Sequence, residues 1–206
     1  MVNKKVDRRI MRTRQSLKDA YISLINEKEF SAISITDIVN RSNLNRSTFY
    51  AHFQDKEDLL SSMINELIDG TINSMLTTSD ISLTNINEKV PFTNATIKLF
   101  TFVADHSIYF ATMLNNKGVP QFNQGLSDSL YTFFLKEIDR HPEYKDQLII
   151  NKGFFSSYLT STFIGFVYHW LITTNMKYTP DYIANEFTKI LILKPFVPHL
   201  HPKVSL

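Results

Sequence analysis

Residues 34–60 read S-I-T-D-I-V-N-R-S-N-L-N-R-S-T-F-Y-A-H-F-Q-D-K-E-D-L-L. Two short helices joined by a tight turn fit this stretch, with a long helix starting right behind. Ser34 caps the first short helix, and Asp37 three residues later makes a variant of the capping box. Ile35, Ile38 and Val39 form its apolar face. Asn43 falls at the turn, where one residue needs a positive φ, which Asn tolerates better than most. Leu44 turns back toward the core. Asn45 then caps a second helix, Arg46 to about His52, with Phe49 and Phe53 inward. Its other face shows Arg46, Ser47, Thr48, Tyr50, Ala51 and His52. That face has donors and acceptors but little bulk, which suits entry into a groove about 12 Å wide. Two short helices set by such a turn form the helix-turn-helix device, whose second helix lies in the DNA major groove.

Upstream, residues 1–9 are read as a basic arm with Lys4, Lys5, Arg8 and Arg9. A helix comes next, to about Lys28, with Leu17, Ala20, Tyr21, Leu24 and Ile25 at helical spacing. Arg12 and Arg14 lie in its first turns, where cations oppose the helix dipole. A partner is therefore expected for them, and a DNA phosphate would serve. Downstream, Asp55 caps a helix striped by Leu59, Leu60, Met63, Ile64, Leu67, Ile68, Ile72, Met75 and Leu76. That helix is longer than a DNA-reading unit needs, so it is read as the connection to the C-terminal part of the chain and as a transmission element. Residues 77–90 are rich in Ser, Thr and Asn and read as a linker. Further helices are predicted over 91–106, 107–115, 120–140, 146–174 and 179–193, about nine in all. Pro195, Pro198 and Pro202 make the tail extended. No β pattern and no internal repeat appears.

Charge and aromatic content divide the chain. The net charge is only +2, but residues 1–56 carry eleven Lys or Arg against six Asp or Glu. Residues 61–206 carry eleven against twelve, so the positive charge sits with the helix-turn-helix, as phosphate binding needs. Five aromatic residues lie in 1–90 and twenty-one in 91–206. There is no cysteine, which excludes disulfides and thiolate chemistry. The N-terminus lacks the apolar core of a signal peptide. Residues 153–176 carry no charge but hold too many Ser and Thr for a spanning helix, so no membrane association is expected. A cytoplasmic location is therefore expected.

Enzymatic readings find no support. The six histidines include no metal-binding pair on a helix, and His199-x-His201 lies in the Pro-rich tail. Five glycines form no phosphate-cradling loop, and no Ser or Thr sits in a nucleophile elbow. No metal, cofactor or catalytic residue is expected.

The pattern Ile35-Thr36-x-Ile38, Leu44-x-Arg46-Ser47-Thr48-Phe49-Tyr50-x-His52-Phe53-x-x-Lys56-x-x-Leu59-Leu60 resembles the DNA-binding signature of the tetracycline-repressor-type (TetR/AcrR) transcription regulators. The resemblance covers roughly residues 8–60, and Thr48 to Lys56 is its most specific part. One departure is Ser42-Asn43, where the family has Ala-Gly. The fold expected is all-α. A three-helix helix-turn-helix DNA-binding domain occupies 1–56, and a helical ligand-binding and dimerisation domain occupies 57–206.

Roles are assigned by reach. Arg46 and Ser47, at the start of the second helix, are best placed for base edges; Arg is the residue most often bidentate on guanine. Thr36 and Ala51 also face bases in this reading. Thr48, Tyr50, His52 and Lys56 suit phosphates, with Lys56 and the first N–H groups of the next helix as an anion site. The resemblance assigns DNA contact to the same positions.

Ser157, Ser161 and Gly165 are four apart and would let another helix approach closely. Residue pattern alone leaves open packing within one subunit or between two. The resemblance implies dimerisation through the last two long helices, with Ser161, Gly165, Tyr168, Tyr182 and Phe187 at the interface. The later aromatic residues fit either a solid core or an apolar pocket. The resemblance favours a pocket for an apolar or aromatic small-molecule effector, lined by Phe102, His106, Tyr109, Met113, Phe133, Phe134, Phe155 and Tyr158.

The function expected is a dimeric, ligand-responsive, sequence-specific regulator, usually a repressor, on a near-palindromic double-stranded operator. The alternative is a helix-turn-helix-fold interaction protein or co-activator that works through a protein partner.

Overall fold

The computed structural model describes residues 4–76, 90–115, 119–140, 148 and 150–192. Among them are nine α-helices and no strand. They are α1 (Lys4–Glu27), α2 (Ile35–Arg41), α3 (Arg46–Tyr50), α4 (Lys56–Leu76) and α5 (Val90–Asp105). After them come α6 (Ser107–Leu114), α7 (Pro120–Arg140), α8 (Lys152–Tyr168) and α9 (Pro180–Ile192). A 3₁₀ turn, Phe30–Ala32, precedes α2, and α8 continues as a π-helical turn over His169–Thr173.

The helix-turn-helix forms as its residues dictate. The Ser34 hydroxyl accepts from the Asp37 N–H, and the Asp37 carboxylate accepts from the Ser34 N–H at 2.8 Å, completing the box. Asn43 has φ 54°, the left-handed turn conformation. The Asn45 side chain accepts from the Thr48 N–H at 2.8 Å. Two boundaries differ from expectation. The first helix begins at Lys4, inside the stretch read as an arm, because no Pro or Gly between residues 4 and 27 stops it. The helix expected from residue 146 starts at Lys152, where the Asn151 side chain caps it by accepting from the Gly153 N–H at 2.8 Å. The linker read over residues 77–90 lies outside the described residues except for Val90, as does the Pro-rich tail with His199 and His201.

The chain divides into two compact units that are not consecutive in sequence. One is Met1–Gly70 with His106–Ser129; the other is Thr71–Asp105 with Leu130–Leu206. In the first, Leu17, Tyr21, Ile38, Phe49, Leu59, Phe110 and Phe122 are fully buried. Each large apolar side chain so buried contributes about 1.5–3 kcal/mol. α6 is tied to α1: the Asn26 amide donates to the Thr112 hydroxyl at 2.9 Å, and the Tyr109 hydroxyl donates to Asp19.

The second unit is built on rings. Phe100 of α5 lies 5.8 Å from Phe163, 5.9 Å from Trp170 and 5.4 Å from Phe187 between ring centres. Phe166 adds an edge contact to Phe187 at 5.3 Å. Phe187, expected at a subunit interface, is therefore a core residue of its own chain, 3% exposed. α5 and α9 also share a buried hydroxyl pair, Thr96 and Thr188, 3.1 Å apart.

The capped turn makes two stability effects measurable. Asn43→Val puts a β-branched residue at a positive φ and should cost about 1–2 kcal/mol in chemical denaturation; an unchanged midpoint would contradict the strain assigned to this turn. Asp37→Asn should destabilise near neutrality. Lys28 and the Ser34 cap hold the Asp37 carboxyl well below its usual range. Its contribution is therefore complete above the ordinary Asp value of about 3.9 and is lost as pH falls toward the lower folded value. The gap between variant and wild type should accordingly narrow in acid, measured as denaturation midpoint against pH.

Candidate nucleic-acid interface

The interface is built on α2 and α3, and ion pairs hold α2 to α1. Arg41 makes a bidentate contact with Glu27, 2.6 Å on each arm, and donates to Ser23. Lys28 pairs with Asp37 at 2.9 Å. The Arg41 guanidinium lowers the Glu27 carboxyl and is itself raised. α3 is then set by a fixed α2 through the Asn43 turn, with Phe49 completely buried beneath it. Phe53, 3% exposed, packs beside Phe49 with ring centres 6.0 Å apart.

Opposite those two rings, Arg46, Ser47, Tyr50 and Ala51 are exposed, and Thr36 is exposed on α2. Tyr50 stands edge-on to Phe49 at 5.7 Å between ring centres and is 52% exposed. Thr48 and His52 are half-buried at the margins. The Ser47 hydroxyl donates to the Asn45 side chain at 2.7 Å. The exposed members are those expected for base reading together with Tyr50.

Lys56 does not fit the phosphate role expected of it. Its ammonium donates to the carbonyls of Ile33 at 2.9 Å, Phe30 at 3.2 Å and Ser31 at 3.5 Å, and lies 4.9 Å from the Phe30 ring centre. An ammonium has three donors, and all three are directed into the protein. The start of α4 is likewise engaged. The Asp58 N–H donates to the Asp55 carboxylate at 2.7 Å, and the Asp58 carboxylate accepts from the Gln54 N–H at 2.9 Å. Carboxylates that cap a helix also repel an incoming phosphate, so the expected anion site is occupied by the chain itself. Arg14 differs from expectation too: its guanidinium donates to the His52 carbonyl and to Ser62 instead of pointing to solvent. Arg8, Arg9 and Arg12 are exposed. The roles of Arg14, Ser62 and Lys56 leave no mark in local spacing, because their partners lie 23 to 48 residues away in sequence.

The eight residues named for a pocket fall in different units. His106, Tyr109 and Met113 belong to the first; Phe102, Phe133, Phe134, Phe155 and Tyr158 belong to the second. Tyr109 is tied to α1, with its hydroxyl donating to Asp19 and accepting from the Gln15 amide at 2.7 Å. Burial and the Asp19 carboxylate raise its phenol. Tyr158 is 44% exposed and stacks on Phe155, so it lies on the surface instead of lining a cavity. Met113 is completely buried, Phe133 is buried, and Phe102 and Phe134 are half-buried. Ser156 and Thr160, not singled out in the sequence, are buried one turn apart on α8 without a hydrogen-bond partner among the described residues. Of the interface residues named besides Phe187, Ser161, Gly165 and Tyr182 are exposed and Tyr168 is half-buried.

Comparison with known proteins agrees with this geometry. The family model for bacterial regulatory proteins of the tetR family matches residues 19–63, and a transcriptional regulator C-terminal region of the TetR type matches residues 92–193. The chain is 29% identical over 196 residues to the uncharacterized HTH-type transcriptional regulator YxbF of Bacillus subtilis (strain 168), covering 94% of this chain. It spans about half the length of that relative, 48%. Among solved structures, a putative TetR-family regulator from Syntrophomonas wolfei superposes with a TM-score of 0.71 at 19% identity, covering 91% of this chain and 98% of that one. FadR from Bacillus subtilis, in complex with stearoyl-CoA, superposes at 0.63 with 17% identity, covering 87% and 97%. These two likenesses are of fold. Among the described residues no helix is long and apolar enough to cross a membrane. The capping box at Ser34, the left-handed turn at Asn43, the exposed face of α3 and the two matched regions agree: the chain belongs to the TetR family of DNA-binding transcription regulators.

Proposed function

We propose that the protein is a homodimeric, sequence-specific regulator that places Arg46–His52 of each subunit in a DNA major groove and responds to a small apolar effector. The observation that carries this reading is the exposed set Arg46, Ser47, Tyr50 and Ala51 on a capped helix whose opposite face is buried. Residues 1–56 supply the DNA contacts in this reading, and 57–206 supply dimerisation and effector binding. Two-fold symmetry requires half-sites one helical turn, about 10 base pairs, or a multiple apart, so the operator is near-palindromic.

For the dimer, the support is a face of α8 left uncovered by the described residues. Phe154 is 77% exposed, and Tyr158, Ser157, Ser161 and Gly165 continue from it at helical spacing. A Cβ placed at Gly165 meets nothing within 4 Å among the described residues. For the effector, the support is the pair of hydroxyls of Ser156 and Thr160, buried without partners among the described residues. The solved FadR with stearoyl-CoA has the same fold. An effector would act by its different affinity for the two spacings of the recognition helices, through α4, which contributes residues to both units.

Selection of duplexes from a random pool tests the DNA reading, and recovery of no preferred sequence at moderate salt would refute it. Arg46→Ala should then lose about 1–3 kcal/mol of discrimination at one base position. Lys56→Ala should lower the denaturation midpoint and leave the dependence of log Kd on log salt unchanged; a slope smaller by about one would restore a phosphate role. Gly165→Trp should convert dimer to monomer in sedimentation equilibrium with helical content retained. An intact dimer would place the interface elsewhere.

A further inference from the structure

α3 is bonded at its start by its own cap, Asn45, while the turn that leaves it, His52–Phe53, is held from outside. On α1, Arg14 donates from Nη1 to the His52 carbonyl at 3.2 Å and lies 4.4 Å from the Phe53 ring centre. Its Nη2 donates to the Ser62 hydroxyl of α4 at 2.9 Å. Ser62 in turn donates to Glu66 Oε1 at 3.0 Å, and the other carboxylate oxygen of Glu66 accepts from the buried ammonium of Lys18. Arg14 is also 3.9 Å from Glu66 Oε1. One carboxylate on α4 therefore orients two cations on α1, and one of those cations holds the turn just past the end of the recognition helix.

The physical logic favours position over charge. Carbonyls at a helix end are left without intrahelical partners and attract cations. A guanidinium is a rigid planar fork, so two bonds in different directions fix its plane and, with it, the groups that it holds. A flexible ammonium cannot reproduce this. Side chains that read bases must be held within about 0.5 Å and 10–20° of their productive geometry.

We infer that Arg14 and Glu66 are positioning residues for DNA reading: they set the tilt of α3 and touch no DNA themselves. This rests on the reading of α3 as the base-reading helix. It also makes a prediction of opposite sign to plain electrostatics. Removing the Glu66 charge makes the unit more positive, which by charge alone strengthens binding to a polyanion. If Glu66 positions α3, its removal weakens specific binding.

The test uses the full chain, a duplex selected by the wild type from a random pool, and a scrambled duplex of equal length, with Kd measured over a range of KCl. Glu66→Gln should reduce the preference for the selected duplex about tenfold, the scale of one good base contact, with an unchanged salt slope. Arg14→Lys should behave in the same way although it keeps the charge. In the free protein, amide hydrogen exchange at Phe49–Phe53 should accelerate in both variants while the core amides of α1 and α4 stay protected. Equal or tighter binding of the selected duplex by Glu66→Gln would overturn the inference. So would wild-type preference in Arg14→Lys together with a salt slope lowered by about one in Arg14→Ala, the signature of a direct phosphate contact. Failure of the wild type to select any duplex would remove the base-reading function instead. The exchange measurement then decides by itself, and unchanged exchange at Phe49–Phe53 overturns the positioning role.

Discussion

A helix of five residues does not hold itself together in water. Nucleation costs several fixed dihedrals for one hydrogen bond, and isolated helices shorter than about 12–15 residues are marginal. α3 spans only Arg46–Tyr50, so everything that the DNA-reading face does depends on the groups that hold this short helix from outside. The holding groups are specific. Asn45 caps its start, Phe49 and Phe53 anchor its underside, and Arg14 takes the carbonyl just past its end. The capping box at Ser34 and the left-handed Asn43 carry this precision back to α2, which is held through the pairs Arg41–Glu27 and Lys28–Asp37.

This need for external support explains how the basic residues are divided. A surplus of positive charge in residues 1–56 suits a polyanionic partner, yet several of those cations face inward. Lys56 closes the loop before α2 onto α4, Lys18 is buried against Glu66, and Arg14 and Arg41 are both engaged with other elements. Arg46, Arg8, Arg9 and Arg12 remain exposed. Net local charge therefore overstates the number of phosphate contacts, because ion pairs that build the unit and ion pairs that bind DNA draw on the same residue types.

The second unit obeys a different logic. Its core is a ring cluster around Phe100, with edge contacts that favour defined angles over simple volume filling. Much of the aromatic excess is thus packing, and Phe187 belongs to it. Two features stand outside that solid core. The hydroxyls of Ser156 and Thr160 are buried without partners among the described residues, a cost of about 1–3 kcal/mol each when left unmet. The outer face of α8, from Phe154 to Gly165, is apolar or small and is left open by the described residues.

Local chemistry was legible in the chain itself. The cap at Ser34, the turn at Asn43, the cap at Asn45 and the inward Phe49 and Phe53 depend on neighbours within four residues, so their spacing determined the helix-turn-helix and its exposed face. Helical periodicity likewise determined the all-α class. Only the tertiary structure decided where long side chains end. Arg14, Lys56 and Tyr109 each have a flexible or extended reach and find partners 23 to 94 residues away. The same holds for Phe187, whose periodicity marks it as buried without saying whether its own chain or another covers it. Sequence spacing encodes which face of a helix is apolar; the identity of the group opposite is set by how the helices pack, and that is where the roles of these residues were decided.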